Sequence, residues 1–131
     1  MKKLVSILFF ILLGSSSLFS QTTTGYVKVK WNTGCQACCL TMVYVPCITV
    51  VRIIDDYVVV ENLCDTVSGS TYEAQFSFDM PQCTSNWDFK IYAAVWAGCP
   101  PSTLCCHEKN PGITRDCSDL EHGDVEIQVD F

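Results

Sequence analysis

The sequence predicts an all-β fold: an antiparallel β-sandwich of about seven strands, stapled by disulfides, with a small β-barrel as the alternative. Three observations predict it. Apolar residues recur at every second position in several short segments, the period of a strand with one buried face. Gly, Pro, Asn, Asp and Ser separate those segments, and no stretch has the period of an amphipathic helix. Ten cysteines stand in a chain of 131 residues, the first of them Cys35, behind an apolar leader.

Residues 1–20 read as a signal peptide. Lys2 and Lys3 supply its charged start, residues 4–13 an apolar run broken only by Ser6, and Gly14, Ser15, Ser16 and Ser17 a small-residue approach to the cut. Cleavage is expected after Ser20, with Ser17 the alternative. The apolar run is shorter than the roughly 20 residues that span a bilayer, which argues against an uncleaved anchor. The expected product is one cystine-rich domain, residues 21–131, secreted or periplasmic, where thiols oxidise. The formal charge is −6, and removal of Lys2 and Lys3 takes it to −8. Such a domain repels phosphate backbones and anionic lipid heads, so nucleic acid and, after leader removal, the membrane are excluded as partners.

The elements follow in order. Residues 21–25 form a polar lead-in. Residues 26–31 alternate, with Val27, Val29 and Trp31 on one face. Residues 40–45 make an apolar run that Pro46 closes. Residues 48–54 and 57–62 flank a hairpin turn at Asp55 and Asp56; both are apolar on two faces, as in covered strands. Residues 72–78 alternate with Tyr72, Ala74, Phe76 and Phe78 inward. Residues 87–97 are the longest strand, with Trp87, Phe89, Ile91, Ala93 and Val95 on one face and Asp88, Lys90, Tyr92, Ala94 and Trp96 on the other. Residues 98–123 break the pattern and read as a long loop pinned by four cysteines. Residues 125–131 end the chain as a strand with Val125, Ile127, Val129 and Phe131 inward.

One segment, YEAQFSFDMPQCTSNWDFKIYAAVWAG at residues 72–98, resembles the late strands of C2-type sandwiches. There an aromatic-rich strand ending like FSFDMP precedes a long strand ending like IYAAVWAG. The resemblance covers about a fifth of the chain and implies a sandwich. The aspartate loops through which that family binds calcium are not evident, so no lipid-binding role is carried over.

The cysteines are Cys35, Cys38, Cys39, Cys47, Cys64, Cys83, Cys99, Cys105, Cys106 and Cys117. Their even count predicts five bridges and no free thiol, with the pairing open. Neighbours in an extended chain point to opposite sides, so Cys38-Cys39 and Cys105-Cys106 are each expected to tie one segment to two places. Two other chemistries compete. The C-x-x-C spacing of Cys35 and Cys38, completed by Cys105, Cys106 and His107, suits zinc in a reducing compartment. The same C-x-x-C suits thiol redox catalysis, but no helix follows it to lower a thiol pKa.

The remaining candidates are side chains. His107 and His122 are the two histidines, and no serine has a motif-level partner for hydrolysis. Asp116, Asp119, Glu121 and Asp124 form a weak calcium candidate without the ligand order of a known calcium loop. Tyr92 and Trp96, mixed with polar groups on the second face of the longest strand, are the residue types of binding faces. Leu104, His107, Glu108 and Lys109 lie in the segment 99–117. The expectation is a non-enzymatic binding module for an extracellular protein or glycan, without a cofactor. The alternatives are an enzyme inhibitor presenting the 99–117 loop and a small hydrolase or thiol redox enzyme.

Overall fold

The computed structural model describes residues 21–83 and 86–131; the leader assigned to residues 1–20 lies outside them. Nine strands and one short helix follow in order: β1 Thr22–Trp31, β2 Val43–Arg52, β3 Tyr57–Cys64, β4 Val67–Ser68, β5 Glu73–Pro81, β6 Asp88–Cys99, β7 Thr103–Lys109, β8 Ile113–Asp116, α1 Cys117–His122 and β9 Glu126–Val129. They build two sheets packed face to face, and the sheets do not close into a barrel. The smaller has the order β5-β1-β9; the larger runs β3-β2-β6-β7, with β4 on β2 and β8 on β6. Neighbouring strands are antiparallel except β1 and β9, which run parallel.

Alternation dictates the core. Val27, Val29 and Trp31 of β1, Ala74, Phe76, Phe78 and Met80 of β5, and Ile127 and Val129 of β9 face Tyr44, Ile48, Val50, Phe89, Ile91, Ala93, Val95 and Ala97 of the larger sheet. Their polar neighbours lie outside, as one-faced burial requires. Tyr72 departs from the expected inward set: it sits before β5, partly exposed, with its ring 5.8 Å from that of Tyr44.

Four expectations are corrected. The polar lead-in is already strand, because Thr22 pairs with Pro81 and extends β1 to the end of β5. Pro46 does not close an element: β2 runs through it from Val43 to Arg52, while Leu40 lies outside and fully exposed. Proline is tolerated there because the flanking ladder is interrupted; β3 pairs with β2 from Cys47 onward and β4 with Val43 and Tyr44. Segment 57–62 belongs to an edge strand, β3, not a covered one, and Tyr57 and Val58 are exposed. Its apolar second face reflects β-branched strand preference, not burial.

The fourth correction matters most for the site. Residues 98–123 are not a long loop. β7 and β8 line the free edge of β6 one after the other, opposite residues 94–99 and 88–91. Between them Asn110 continues the ladder, its N–H donating to the Ala93 carbonyl at 2.9 Å. The helix α1 follows. Asp116 caps it by accepting from the Asp119 N–H at 2.9 Å, and Gly123 ends it at φ 76°, a conformation glycine adopts without strain. Leu120 buries itself in the core.

All ten cysteines are paired: Cys35–Cys106, Cys38–Cys105, Cys39–Cys99, Cys47–Cys64 and Cys83–Cys117. The first three clamp residues 35–39 to the end of the β6–β7 pair. Cys105 and Cys106 therefore reach one segment and not two. The register slips between Ala97–Cys106 and Gly98–Leu104, leaving Cys105 as the extra residue of a β-bulge, and a bulge breaks the alternation of sides.

At the β2–β3 hairpin, Arg52 donates to both Asp55 oxygens, at 2.9 and 2.6 Å, and lies 4.6 Å from the Trp87 ring and 5.0 Å from that of Tyr57. The paired guanidinium holds the Asp55 carboxyl below its usual range, and water screens the pair, so its contribution to stability is small. Tyr44 behaves differently. Burial, and then Tyr72, raise its phenol above the ordinary 10.0. Folding thus favours the protonated phenol, and this stability is complete below pH 10 and lost as pH rises through the raised value. Denaturation midpoints are expected to fall above about pH 10, and Tyr44→Phe should flatten that fall. An unchanged slope in the variant would assign the titration to another group.

Candidate functional site

Strand register arranges the outer face of the larger sheet as a grid. Residues directly opposite one another share a face, and on β6 that face carries Lys90, Tyr92, Ala94 and Trp96. On one side β2 places Thr49 against Tyr92, Cys47 against Ala94 and Val45 against Trp96. On the other, β7 places His107 against Trp96 and Lys109 against Ala94.

The result is a cleft of about 310 Å³. Ala94 and Cys47, which is bridged to Cys64, make its floor; Tyr92 stands at one end and Trp96 with His107 at the other. The floor exists because a methyl group stands between two aromatic side chains on the same strand face. Trp96 and His107 stack at 4.4 Å between centroids, with 11° between their planes. His107 Nε2 is buried and has no hydrogen-bond partner. Asn62, at φ 47°, donates its N–H to Thr49 Oγ1 at 3.3 Å and closes the β3 side.

The Asn110–Gly112 break between β7 and β8 supports the Tyr92 end. Asn110 Nδ2 donates to the Gln128 carbonyl at 2.9 Å, and its Oδ1 accepts from the Gly112 N–H at 2.8 Å. Gly112 has φ 103°, and a Cβ there would lie 3.0 Å from the Tyr92 ring. Only glycine gives both that conformation and that approach. Lys90 Nζ lies 5.8 Å from the centroid of the same ring.

Of the residues singled out in the sequence, Tyr92, Trp96, His107 and Lys109 come together here. Glu108 does not. It opposes Val95, whose side chain points into the core, so it leaves the sheet on the other side. Leu104 lines a neighbouring, more open cleft of about 330 Å³ beside the Pro100–Ser102 turn. Because 99–117 is mostly strand, the part free to project is that short turn.

The other candidates separate. Asp116 serves as the helix cap, and Asp116, Asp119, Glu121 and Asp124 do not gather into one ligand group. Among the described residues, the groups of possible metal ligands are Cys38, Cys99 and Cys105, and Cys83, Cys117 and Glu121, and every one of those sulfurs is bridged. Cys35 and Cys38 are not bonded to each other; each is bridged to β7, which corrects the reading of that C-x-x-C as a redox pair. His122 Nδ1 lies 3.2 Å from Ser118 Oγ on the exposed side of α1, and neither residue lines either cleft.

Sequence reasoning missed Ala94 as a floor and Thr49, Asn62 and Asn110 as walls. Ala94 had a signal, a small residue between aromatics at i−2 and i+2. The others come from strands whose register no local pattern specifies. No protein-family model, curated protein or solved structure matches the chain. Residues 72–98, the segment compared above with C2-type sandwiches, contain β5 and nearly all of β6, which lie in different sheets.

Proposed function

We propose that this protein is a secreted or periplasmic, non-enzymatic binding module that holds an extracellular ligand in the cleft between Tyr92 and Trp96. Five disulfides fit an oxidising compartment, and among the described residues no helix is long and apolar enough to cross a membrane. The observation that carries the reading is the Ala94-floored cleft with aromatic ends on a central strand. Aromatic side chains there offer large contact area at little entropic cost, and the two paired neighbours of β6 hold them in place. The segment 99–117 and the sheet face are parts of one surface, since β7 supplies His107 and Lys109.

Comparative recovery from extracellular material tests this. Tyr92→Ala and Trp96→Ala are each expected to weaken capture of the wild-type partner by about 10–30-fold, the range of a binding hot spot. Leu104→Ala and Glu108→Ala, which lie off the cleft, should leave it within about twofold. The reverse pattern would move the binding surface to the Pro100–Ser102 end.

A further inference from the structure

We propose that the ligand is an anionic sugar, a pyranose carrying a carboxylate, as in a uronic-acid polysaccharide. This rests on the binding reading above and narrows it to one chemistry. The protein is acidic, with 14 carboxylate against 8 basic side chains, yet no acidic residue lines the cleft. Lys109 lines it, and Lys90 approaches it over the Tyr92 ring. Among the described residues the ion pairs are Lys30–Glu126 and Arg52–Asp55, so neither lysine is committed to a carboxylate. The acids around the cleft are Glu61, which shares with Asn62 the β3 bulge opposite Thr49, and Asp88 and Asp116, which oppose each other beyond Lys90.

Two unpaired ammonium groups beside one cleft of an acidic surface select an anion by charge complementarity. The rest of the cleft excludes a bare inorganic anion as the best fit. Tyr92 and the Trp96–His107 stack present apolar ring surface, which suits the C–H face of a sugar ring. Thr49 and Asn62 present hydroxyl and amide groups, each both donor and acceptor, as sugar hydroxyls are. The shallow volume takes a ring and its substituents, not a protein side-chain cluster of hot-spot size.

Titration calorimetry with tetragalacturonate and tetramannuronate tests the proposal, since the two carry the same carboxylate on differently arranged hydroxyls. At least one is expected to bind, with affinity falling as salt rises. Its methyl ester, which keeps the ring and removes the charge, should bind about tenfold more weakly. Lys109→Gln should weaken the acid about tenfold and the ester by less than about threefold, and Tyr92→Ala should weaken both about 10–30-fold. Lys28→Gln, a charge removed from the other sheet, should change neither. No binding of either oligomer, or equal binding of acid and ester, overturns the proposal. If Tyr92→Ala still weakens capture of a partner while both oligomers fail, the binding reading stands and the sugar does not.

Discussion

Replacing Cys83 and Cys117 together with alanine is expected to destabilise the domain by about 3–4 kcal/mol, while replacing Cys38 and Cys105 costs about 2 kcal/mol or less. The asymmetry follows from the order in which loops close. Cys83–Cys117 joins positions 34 residues apart, and the other bridges shorten that path only slightly, by bypassing residues 100–104 through Cys39 and Cys38. Cys38–Cys105 joins positions 67 apart, but Cys35–Cys106 and Cys39–Cys99 flank it on both joined segments. With either neighbour formed, the third bridge closes only a few residues, and loop-closure entropy grows with the logarithm of length. Cys117 is also buried at the start of α1, where alanine fits without adding a polar group. Guanidinium unfolding of the two double variants decides the matter. Equal costs would mean that the three clamping bridges act independently and that the entropic account fails.

Most of the sandwich was legible because period-2 alternation survives wherever one face is buried and the other wet. β1, β5 and β9 meet that condition and were read with the right faces inward. Legibility failed where a strand has no such contrast. β3 is apolar on both sides and lies at an edge, and periodicity cannot tell that from a covered strand. β7 and β8 flank the edge of β6 with a bulge at Cys105 and a break at Asn110, so no alternating run lasts long enough to register. The clustered prolines and cysteines then read as a loop. The helix α1 carries both its signals, Asp116 as cap and Gly123 as stop, but its six residues hold only Cys117 and Leu120 as an apolar face.

The site was legible in half. Tyr92 and Trp96 share a face by spacing alone, and a local pattern can find such pairs. That His107 stacks on Trp96 depends on the register of β7 against β6, fixed by the bulge and by the bridges from Cys99, Cys105 and Cys106. Those are long-range facts, and Cys106 finds its partner 71 positions away.

Phe89→Ala should cost about 3–5 kcal/mol, a large part of the 5–15 kcal/mol that holds such a domain together, and yet leave ligand affinity of the folded fraction unchanged. Phe89 is fully buried, and β6 is paired at this position on both edges, with Arg52 on β2 and Arg115 on β8. The surrounding backbone is therefore held and cannot collapse into the space the ring vacates, which places the cost at the upper part of the range. The ring points into the core, and Tyr92, Ala94 and Trp96 point out of the same strand on the opposite face. Tyr92→Ala is expected to do the converse: the residue is 42% exposed, so stability changes by less than about 1 kcal/mol while binding weakens about 10–30-fold. Unfolding curves paired with titrations on both variants and on the double variant make the measurement. If the faces are independent, the stability costs add and affinity follows Tyr92 alone. A fall in affinity with Phe89→Ala in protein that is still folded would show that core packing sets the spacing of the aromatic ends, and that β6 is not the rigid support assigned to it.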